Sequence, residues 1–199
     1  MIKFIYFDVG GVFVNCNNFF KKVSADFHVS HFAMLQQWDL YDDEITLGKI
    51  TPQEFWDKVR LNLNIPGGEN YDFVQNWVSD YVPINETYKF VIELSGCFNV
   101  GLISNMYEGM IPILIKEHML PDIPYKAMVI SCDVGMKKPN SDIYKFAQQK
   151  ANVNASEILF IDDREDFMDG AKNCGWQTIQ FQTFQPEISI NEIIKLLKI

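Results

Sequence analysis

Four short motifs carry the side chains of this 199-residue chain that could do chemistry together. Asp8 ends an apolar run that begins at Ile2, and Gly10 and Gly11 come directly after it. The later motifs are, in chain order, Ser104-Asn105, Lys137-Lys138-Pro139 and Asp162-Asp163. They supply a hydroxyl, an ammonium and a carboxylate pair, while the glycines let backbone amides approach a ligand closely. Such a set of groups can attack, hold and neutralise a phosphate.

The elements around these motifs alternate between strand-like and helical patterns after Pro83. Strands are predicted at 1–7, 98–103, 127–131, 158–161 and 177–181, and helices at 86–95, 109–118, 141–151, 165–173 and from about 189. This alternation indicates βαβ crossovers and a mostly parallel sheet with helices on both faces. Ligands bind such sheets at the carboxyl ends of the strands. We therefore expect Asp8, Ser104 and the Asp162-Asp163 pair to meet there, with Lys138 on a neighbouring loop.

Residues 16–84 have a different character, because they are helical in pattern, rich in aromatic residues and contain no convincing buried strand. Thr51 to Glu54 form a capping box with proline at the first helical position, which predicts a helix over 52–63. A second helix is predicted over 71–79. We therefore divide the chain into a core, 1–15 and 85–199, and a helical insert, 16–84. The insert is expected to be a mobile lid with hinges near 14–17 and 81–84.

Composition limits the classes of partner and the compartment. A formal charge of −9 and a pI near 4.8 argue against binding to nucleic acid or to an anionic membrane. The four cysteines are scattered without a Cys-x-x-Cys pair, which is typical of reduced thiols in a cytoplasmic protein. No apolar stretch reaches 18 residues. We expect a cytoplasmic protein, monomeric or weakly homodimeric, that acts on a small molecule.

The four motifs resemble, in order, those of the haloacid dehalogenase-like (HAD-like) hydrolase superfamily. The matching segments are Phe7-Asp8-Val9-Gly10-Gly11-Val12, Ile103-Ser104-Asn105, Gly135-Met136-Lys137-Lys138-Pro139 and Ile161-Asp162-Asp163. Within subfamily IA, the chain is similar to the branch that holds the phosphatase domain of soluble epoxide hydrolase and small bacterial sugar-phosphate phosphatases. The resemblance implies a Rossmann-like core, with 16–84 as an inserted α-helical cap of the C1 type.

The resemblance also implies a nucleophile and a metal site. Asp8 would attack phosphorus and form an aspartyl-phosphate that water then hydrolyses. Mg²⁺ would be the cofactor, held by the Asp8 carboxylate, the Gly10 carbonyl and Asp163. Asp162 would bind the metal directly or would position the residues that bind it. The Asp162-Asp163 pair alone has a simpler interpretation, as a cap on the following helix.

Other residues would bind the phosphate. The resemblance implies that Ser104 donates to a phosphoryl oxygen, that Asn105 and Gly11 assist, and that Lys138 places a positive charge against the phosphate. Lys138 is chosen over Lys137 because it immediately precedes the proline, and Lys137 is expected to be a solvated neighbour. Taken alone, Ser104-Asn105 is also compatible with an ordinary turn.

Two positions depart from the family pattern. Gly10 stands where most phosphatases of the superfamily carry a second aspartate, which acts as general acid and base. Such help is typically worth about 10²- to 10⁴-fold in rate. Phe167 stands where many relatives have asparagine or aspartate, and the neighbouring Asp166 is expected either to orient Lys138 or to cap a helix.

The favoured function is a Mg²⁺-dependent phosphatase of small phosphorylated metabolites, with sugar phosphates preferred. One alternative is a catalytically weak relative that binds phosphorylated ligands or another protein, as the missing acid at Gly10 would allow. The other is a 2-haloacid dehalogenase, and the Asp162-Asp163 pair argues against this alternative. In the helical insert, Phe19 or Trp38 is expected to line the pocket, and 42–44 (Asp-Asp-Glu) is interpreted as a solvated loop.

Overall fold

The computed structural model describes residues 1–16 and 18–199, so Asn17 of the predicted first hinge lies outside the described residues. The strands are β1 (Phe4–Phe7), β2 (Val14–Cys16), β3 (Tyr81–Pro83), β4 (Asn99–Ser104), β5 (Ala127–Ile130), β6 (Ile158–Asp162) and β7 (Gln177–Gln180). The helices are α1 (Phe19–Asp26), α2 (His31–Thr46), α3 (Pro52–Asn62), α4 (Phe73–Ser79), α5 (Asn85–Ser95), α6 (Met110–Lys116), α7 (Ser131–Val134), α8 (Ser141–Ala151), α9 (Glu165–Asn173) and α10 (Pro186–Leu197).

A five-stranded parallel sheet in the order β5-β4-β1-β6-β7 forms the centre of the fold. Side chains alternate across a strand, so β1 contributes to a core on each face. Phe4 and Tyr6 pack in the cluster that includes residues of α8 and α9, whereas Ile5 and Phe7 pack in the cluster that includes residues of α5 and α10. The predicted α/β architecture, a parallel sheet covered on both faces, is confirmed.

Most helix bounds follow the local signals in the sequence. In α3 the hydroxyl of Thr51 accepts from the Glu54 amide at 3.1 Å, and the Glu54 carboxylate accepts from the Thr51 amide at 2.7 Å. The bounds of α8 and α9 match the prediction. The last helix begins at Pro186, earlier than the predicted 189, because proline suits the first helical position. No helix in the described ranges is both long and apolar enough to cross a membrane.

Helices α1 to α4 and their connections, which we call the helical segment (residues 18–80), lie outside the five-stranded sheet. The sequence predicts no buried strand in 16–84, and the structure adds only a short antiparallel ribbon at the two ends of this range, where β2 and β3 pair Val14 with Pro83 and Val82 is exposed. Strands of three residues are too short to show a period of two in sequence. The expected loop at Asp42 and Asp43 is wrong, since both lie within α2.

Aromatic rings hold the helical segment together and join it to the core. Trp77 stacks on Phe19, with the ring centroids 4.9 Å apart. It also stacks on Tyr107, in the loop after β4, with the ring centroids 4.8 Å apart. Gly48, with φ +67°, lies so close to the Cys132 carbonyl that a Cβ at this position would overlap it. These contacts place the helical segment beside the carboxyl ends of the strands. The division into core and cap, and the mobility of the cap, stay predictions.

Candidate active site

The ends of two adjacent strands, β1 and β6, bring the three predicted carboxylates together. Asp8 directly follows β1, Asp162 is the last residue of β6, and Asp163 comes next. Because β1 pairs with β6 in parallel, their carboxyl ends lie side by side. Each of the three carboxylates offers one oxygen, and these oxygens lie within 4.8 Å of one another.

Lys138 lies between two of these carboxylates. Its ammonium nitrogen is 2.6 Å from Asp162 Oδ2 and 3.0 Å from Asp8 Oδ1, and its side chain is fully buried. The same nitrogen lies over the rings of Phe167 and Phe160, 4.6 and 5.2 Å from their centroids. Burial alone would lower the pKa of Lys138, but the charges of Asp162 and Asp8 outweigh it and raise the pKa above its ordinary value. The lysine is therefore a fixed positive charge.

The side chain of Asn105 fixes the backbone of Lys138, and the side chain of Ser131 fixes the loop that carries Asn105. The Asn105 amide donates to the Lys138 carbonyl at 3.0 Å and accepts from the Lys138 amide at 2.9 Å. Ser131, at the start of α7, accepts from the Met106 amide and donates to the Met106 carbonyl. Asn105 thus acts through its side chain in this structure, a contact that the motif alone does not indicate.

The carboxylates carry more negative charge than Lys138 can balance. Burial raises the pKa of Asp162 to about 7, with the charge of Asp8 adding to the rise while Lys138 and the Arg164 amide oppose it. Burial and the charge of Asp8 also raise the pKa of Asp163. Among the described residues, no group donates a well-aligned hydrogen bond to the buried Asp8 Oδ1. These are the properties of a site that gains from a bound cation.

The two glycines after Asp8 differ in their surroundings. Gly11 has φ +72°, and a Cβ on it would overlap the Asp163 carboxylate, so only glycine fits there. Its carbonyl accepts from the Thr183 hydroxyl at 2.7 Å. Gly10 has no such constraint, since a Cβ on it would meet no atom within 4 Å. The missing side chain at Gly10 is therefore a matter of chemistry and not of space.

A cavity of about 620 Å³ opens above these residues. Asp8, Gly10, Gly11, Asn105, Lys138 and Asp163 line its floor. Ser104 is 1% exposed and does not line it, so the structure places its neighbour Asn105, but not Ser104, at the cavity surface. Asp42 and Thr46 of α2 and Trp77 of α4 line the same cavity from the helical segment. The expected aromatic lining by Phe19 or Trp38 is wrong, and Trp77 of the same cluster takes that place.

Two further expectations are refined by ion pairs. Lys137 is more than a solvated neighbour, because its partly buried side chain places the ammonium against the carboxylates of Asp43 and, at 3.5 Å, Asp42. Of the two roles expected for Asp166, the structure favours the one at the helix terminus: Asp166 lies in the first turn of α9 and, instead of orienting Lys138, binds the guanidinium of Arg164 through both oxygens, at 3.0 and 2.7 Å. Lys137 and Asp43 are 94 positions apart in the sequence, and only the fold brings Lys137 next to α2.

Comparisons with curated proteins find relatives that are named as phosphatases. A D-ribitol-5-phosphate phosphatase of Bacteroides thetaiotaomicron is 26% identical over 205 residues, covering 94% of this chain and 93% of that protein. A pyrimidine 5′-nucleotidase of Escherichia coli is 28% identical over 127 residues, which cover 63% of this chain and about half, 55%, of the nucleotidase.

Comparisons with solved structures show the same fold. A predicted HAD-like family hydrolase from Porphyromonas gingivalis matches with a TM-score of 0.83 at 20% identity, covering 100% of this chain and 99% of that one. A HAD family enzyme from Bacteroides thetaiotaomicron, in complex with magnesium and inorganic phosphate, matches with a TM-score of 0.75 at 23% identity, covering 92% and 96%.

The family itself is shown by a direct match of the sequence. Residues 2–175 match the family model described as haloacid dehalogenase-like hydrolase. This range includes all four motifs, from Asp8 to Asp163, and extends over most of the described fold. The chain is therefore a member of the haloacid dehalogenase-like hydrolase family.

Proposed function

We propose that this chain is a Mg²⁺-dependent phosphatase that hydrolyses small phosphorylated metabolites, with sugar or polyol phosphates preferred. The observation that supports this most directly is the buried Lys138 ammonium between Asp8 and Asp162, beside Asp163, on the floor of an open cavity. The names of the curated relatives, a sugar-alcohol phosphate phosphatase and a nucleotidase, point to the same class of substrate.

The charge balance of the floor supports a divalent cation. Three carboxylates share one ammonium, which leaves two negative charges uncompensated when all are ionised. Carboxylate and carbonyl oxygens are the ligands that Mg²⁺ prefers. Asp8, Asp163 and the Gly10 carbonyl would hold the ion, and the ion would neutralise charge on the phosphate as it approaches Asp8. Asp162, already bound by Lys138 and the Arg164 amide, would support the site from behind.

The chain's own residues then divide the reaction between them. An oxygen of Asp8 attacks phosphorus, the bond from phosphorus to the ester oxygen breaks, and the leaving oxygen takes a proton from water. Lys138 holds the phosphoryl group and balances the charge on Asp8. Water then attacks phosphorus of the aspartyl-phosphate, which releases phosphate and restores the Asp8 carboxylate. The backbone of Gly11 would lie against the phosphoryl group, in a turn that is fixed because the Gly11 amide donates to the Val14 carbonyl at 2.8 Å and its carbonyl accepts from Thr183.

Gly10 provides no carboxylate for the proton transfers, and this shapes the expected substrates. General acid and base help is worth about 10²- to 10⁴-fold, so its absence slows both steps without removing the nucleophile. A sugar 1-phosphate has a better leaving group than an alkyl phosphate and needs the acid less. The same absence supports a second possibility, a relative that binds phosphorylated ligands with little turnover.

The test is phosphate release from para-nitrophenyl phosphate and a panel of sugar phosphates with Mg²⁺. Asp8→Asn keeps the size of the side chain but removes the nucleophile, so we expect activity to fall by at least about 10³-fold. Chelation by EDTA should remove activity, and added Mg²⁺ should restore it.

Asp39→Asn is the matched control, because Asp39 is exposed on α2 and does not line the cavity. It should leave phosphate release unchanged. Near-wild-type hydrolysis by Asp8→Asn would contradict the proposed nucleophile. Phosphate binding in the presence of Mg²⁺ with no turnover of any ester would favour the ligand-binding relative instead.

A further inference from the structure

We propose that Asp42, Thr46 and Trp77, which we call the selective wall, favour an uncharged, hydroxylated leaving group, and that Asp42 rejects a leaving group carrying a carboxylate. The inference rests on the proposed phosphatase function, because it concerns the part of the ester that leaves. The selective wall determines the charge and hydrogen-bonding character of the leaving group, and Asp42 is the side chain that selects it.

The charge of the selective wall follows from how Lys137 is shared. Asp42 Oδ2 lies 3.5 Å from the Lys137 ammonium, but the same ammonium makes a closer contact with Asp43. One positive charge therefore serves two carboxylates, which leaves the wall with a net negative charge. A leaving group with its own carboxylate would be repelled there.

The other cations that line the cavity are also paired. Lys138 is buried between Asp8 and Asp162, and Arg164 is bound by Asp166 through two of its nitrogens. Among the described residues, every lysine and arginine of the cavity lining thus has a carboxylate partner. A second anionic group on the substrate would have to displace one of these carboxylates.

Asp42 is nevertheless ready to accept hydrogen bonds. Its Oδ1 accepts from the Thr46 hydroxyl at 3.1 Å, which fixes the carboxylate on the helix. A carboxylate has about four lone-pair sites, so this bond and the contact with Lys137 leave capacity for a substrate hydroxyl. A hydroxyl that donates to Asp42 carries no charge and meets no repulsion.

Trp77 lines the same wall with a largely buried ring. Its residue is 4% exposed, and its indole nitrogen is buried with no hydrogen-bond partner in the part of the chain that the structure describes. The ring is held between Phe19 and Tyr107. The group on the wall that is available for hydrogen bonding is therefore the Asp42 carboxylate, to which a hydroxyl of a polyol can donate.

The experiment compares two esters with the same three-carbon skeleton, glycerol 3-phosphate and 3-phosphoglycerate. They differ in that a carboxylate replaces the terminal hydroxymethyl group. We expect the wild type to have a higher kcat/KM for glycerol 3-phosphate. Asp42→Asn keeps the shape of the side chain and removes its charge, so the ratio of the two kcat/KM values should fall by about tenfold.

Lys137→Met should change the ratio of the two kcat/KM values in the opposite direction, and a loss of folding or packing would not produce that result. It removes the positive charge shared by Asp42 and Asp43 and makes the wall more negative, so the same ratio should rise. Asp39→Asn, on the exposed side of the same helix, should leave the ratio unchanged. An equal or higher kcat/KM for 3-phosphoglycerate in the wild type would overturn the inference, as would a ratio that Asp42→Asn does not lower.

A parallel assay separates this inference from the proposed function. Hydrolysis of para-nitrophenyl phosphate that depends on Asp8, combined with either overturning result above, would reject the selective wall alone. The wall is rejected in the same way if that ester is hydrolysed and neither three-carbon ester is. Failure of all esters to show Asp8-dependent hydrolysis would reject the proposed phosphatase, and the wall with it.

Discussion

The floor and the wall of the cavity are built in different ways. On the floor, Asp8, Asp162 and Asp163 stand at the ends of adjacent strands, and the register of the parallel sheet fixes their distances. The wall belongs to the helical segment, which meets the core through contacts such as Trp77 on Tyr107 and Gly48 on Cys132. In such a site, the floor residues can carry out one reaction while the wall residues select the substrate. Floor variants should then affect all esters alike, and wall variants should distinguish between them.

Among the variants that compare floor and wall, the largest effect is expected for Lys138→Met, which tests whether the floor serves every substrate. Loss of a preorganised charge contact typically costs about 10²- to 10³-fold in rate. We expect that loss in kcat/KM for para-nitrophenyl phosphate and for sugar phosphates by the same factor, measured as phosphate release under saturating Mg²⁺. Lys137→Met is the matched control, since it should change the ratio between esters and not all rates equally. A Lys138→Met defect confined to one class of ester would break the distinction between floor and wall.

A smaller effect is expected within the floor, where Asp163 and Asp162 should differ. Both oxygens of Asp162 are occupied, one by Lys138 at 2.6 Å and one by the Arg164 amide at 2.9 Å, so Asp163 is the freer ligand. Asp163→Ala should raise the Mg²⁺ concentration for half-maximal activity by about 100-fold or more, and Asp162→Ala by about tenfold. Titration of activity with Mg²⁺ measures both. The reverse order would exchange the roles of the two carboxylates.

The smallest effect concerns the junction between wall and core. Gly48 and Gly67 both have φ near +70°, so alanine at either position costs about 1–2 kcal/mol of stability. Only at Gly48 would the new Cβ also overlap the Cys132 carbonyl, whereas at Gly67 it meets no atom within 4 Å. We expect Gly48→Ala to lower Tm more than Gly67→Ala and to raise KM for sugar phosphates.

Gly67→Ala therefore controls for backbone strain in that comparison. Its KM should stay at the wild-type value while its Tm falls. Equal Tm and KM for the two variants, measured by thermal unfolding and by steady-state kinetics, would mean that the Gly48 contact does not position the wall.

Local patterns in the sequence predicted most of the fold. The capping box at Thr51 and the alternation of strands and helices after Pro83 gave elements that the structure contains, with α8 and α9 at their predicted bounds. Short elements were missed, since β2 and β3 have three residues each and are stabilised by pairing with each other across 65 or more positions. A pattern of local residues carries no signal for such a pair.

For the candidate site, the sequence by itself determined which residues the strand ends present. Asp8, Asp162 and Asp163 follow from apolar strands that end in acids, because parallel strands gather their carboxyl ends at one edge. Only the tertiary structure decided how the charges pair. In the structure, Lys137 pairs with Asp42 and Asp43, Arg164 pairs with Asp166, and Lys138 pairs with Asp162. These pairs of Lys137 and Lys138 join positions 24 to 95 apart, so their distances exist only after the strands, loops and helical segment have packed together. The Arg164–Asp166 pair is local, but the sequence alone does not show that Asp166 binds Arg164 in preference to Lys138.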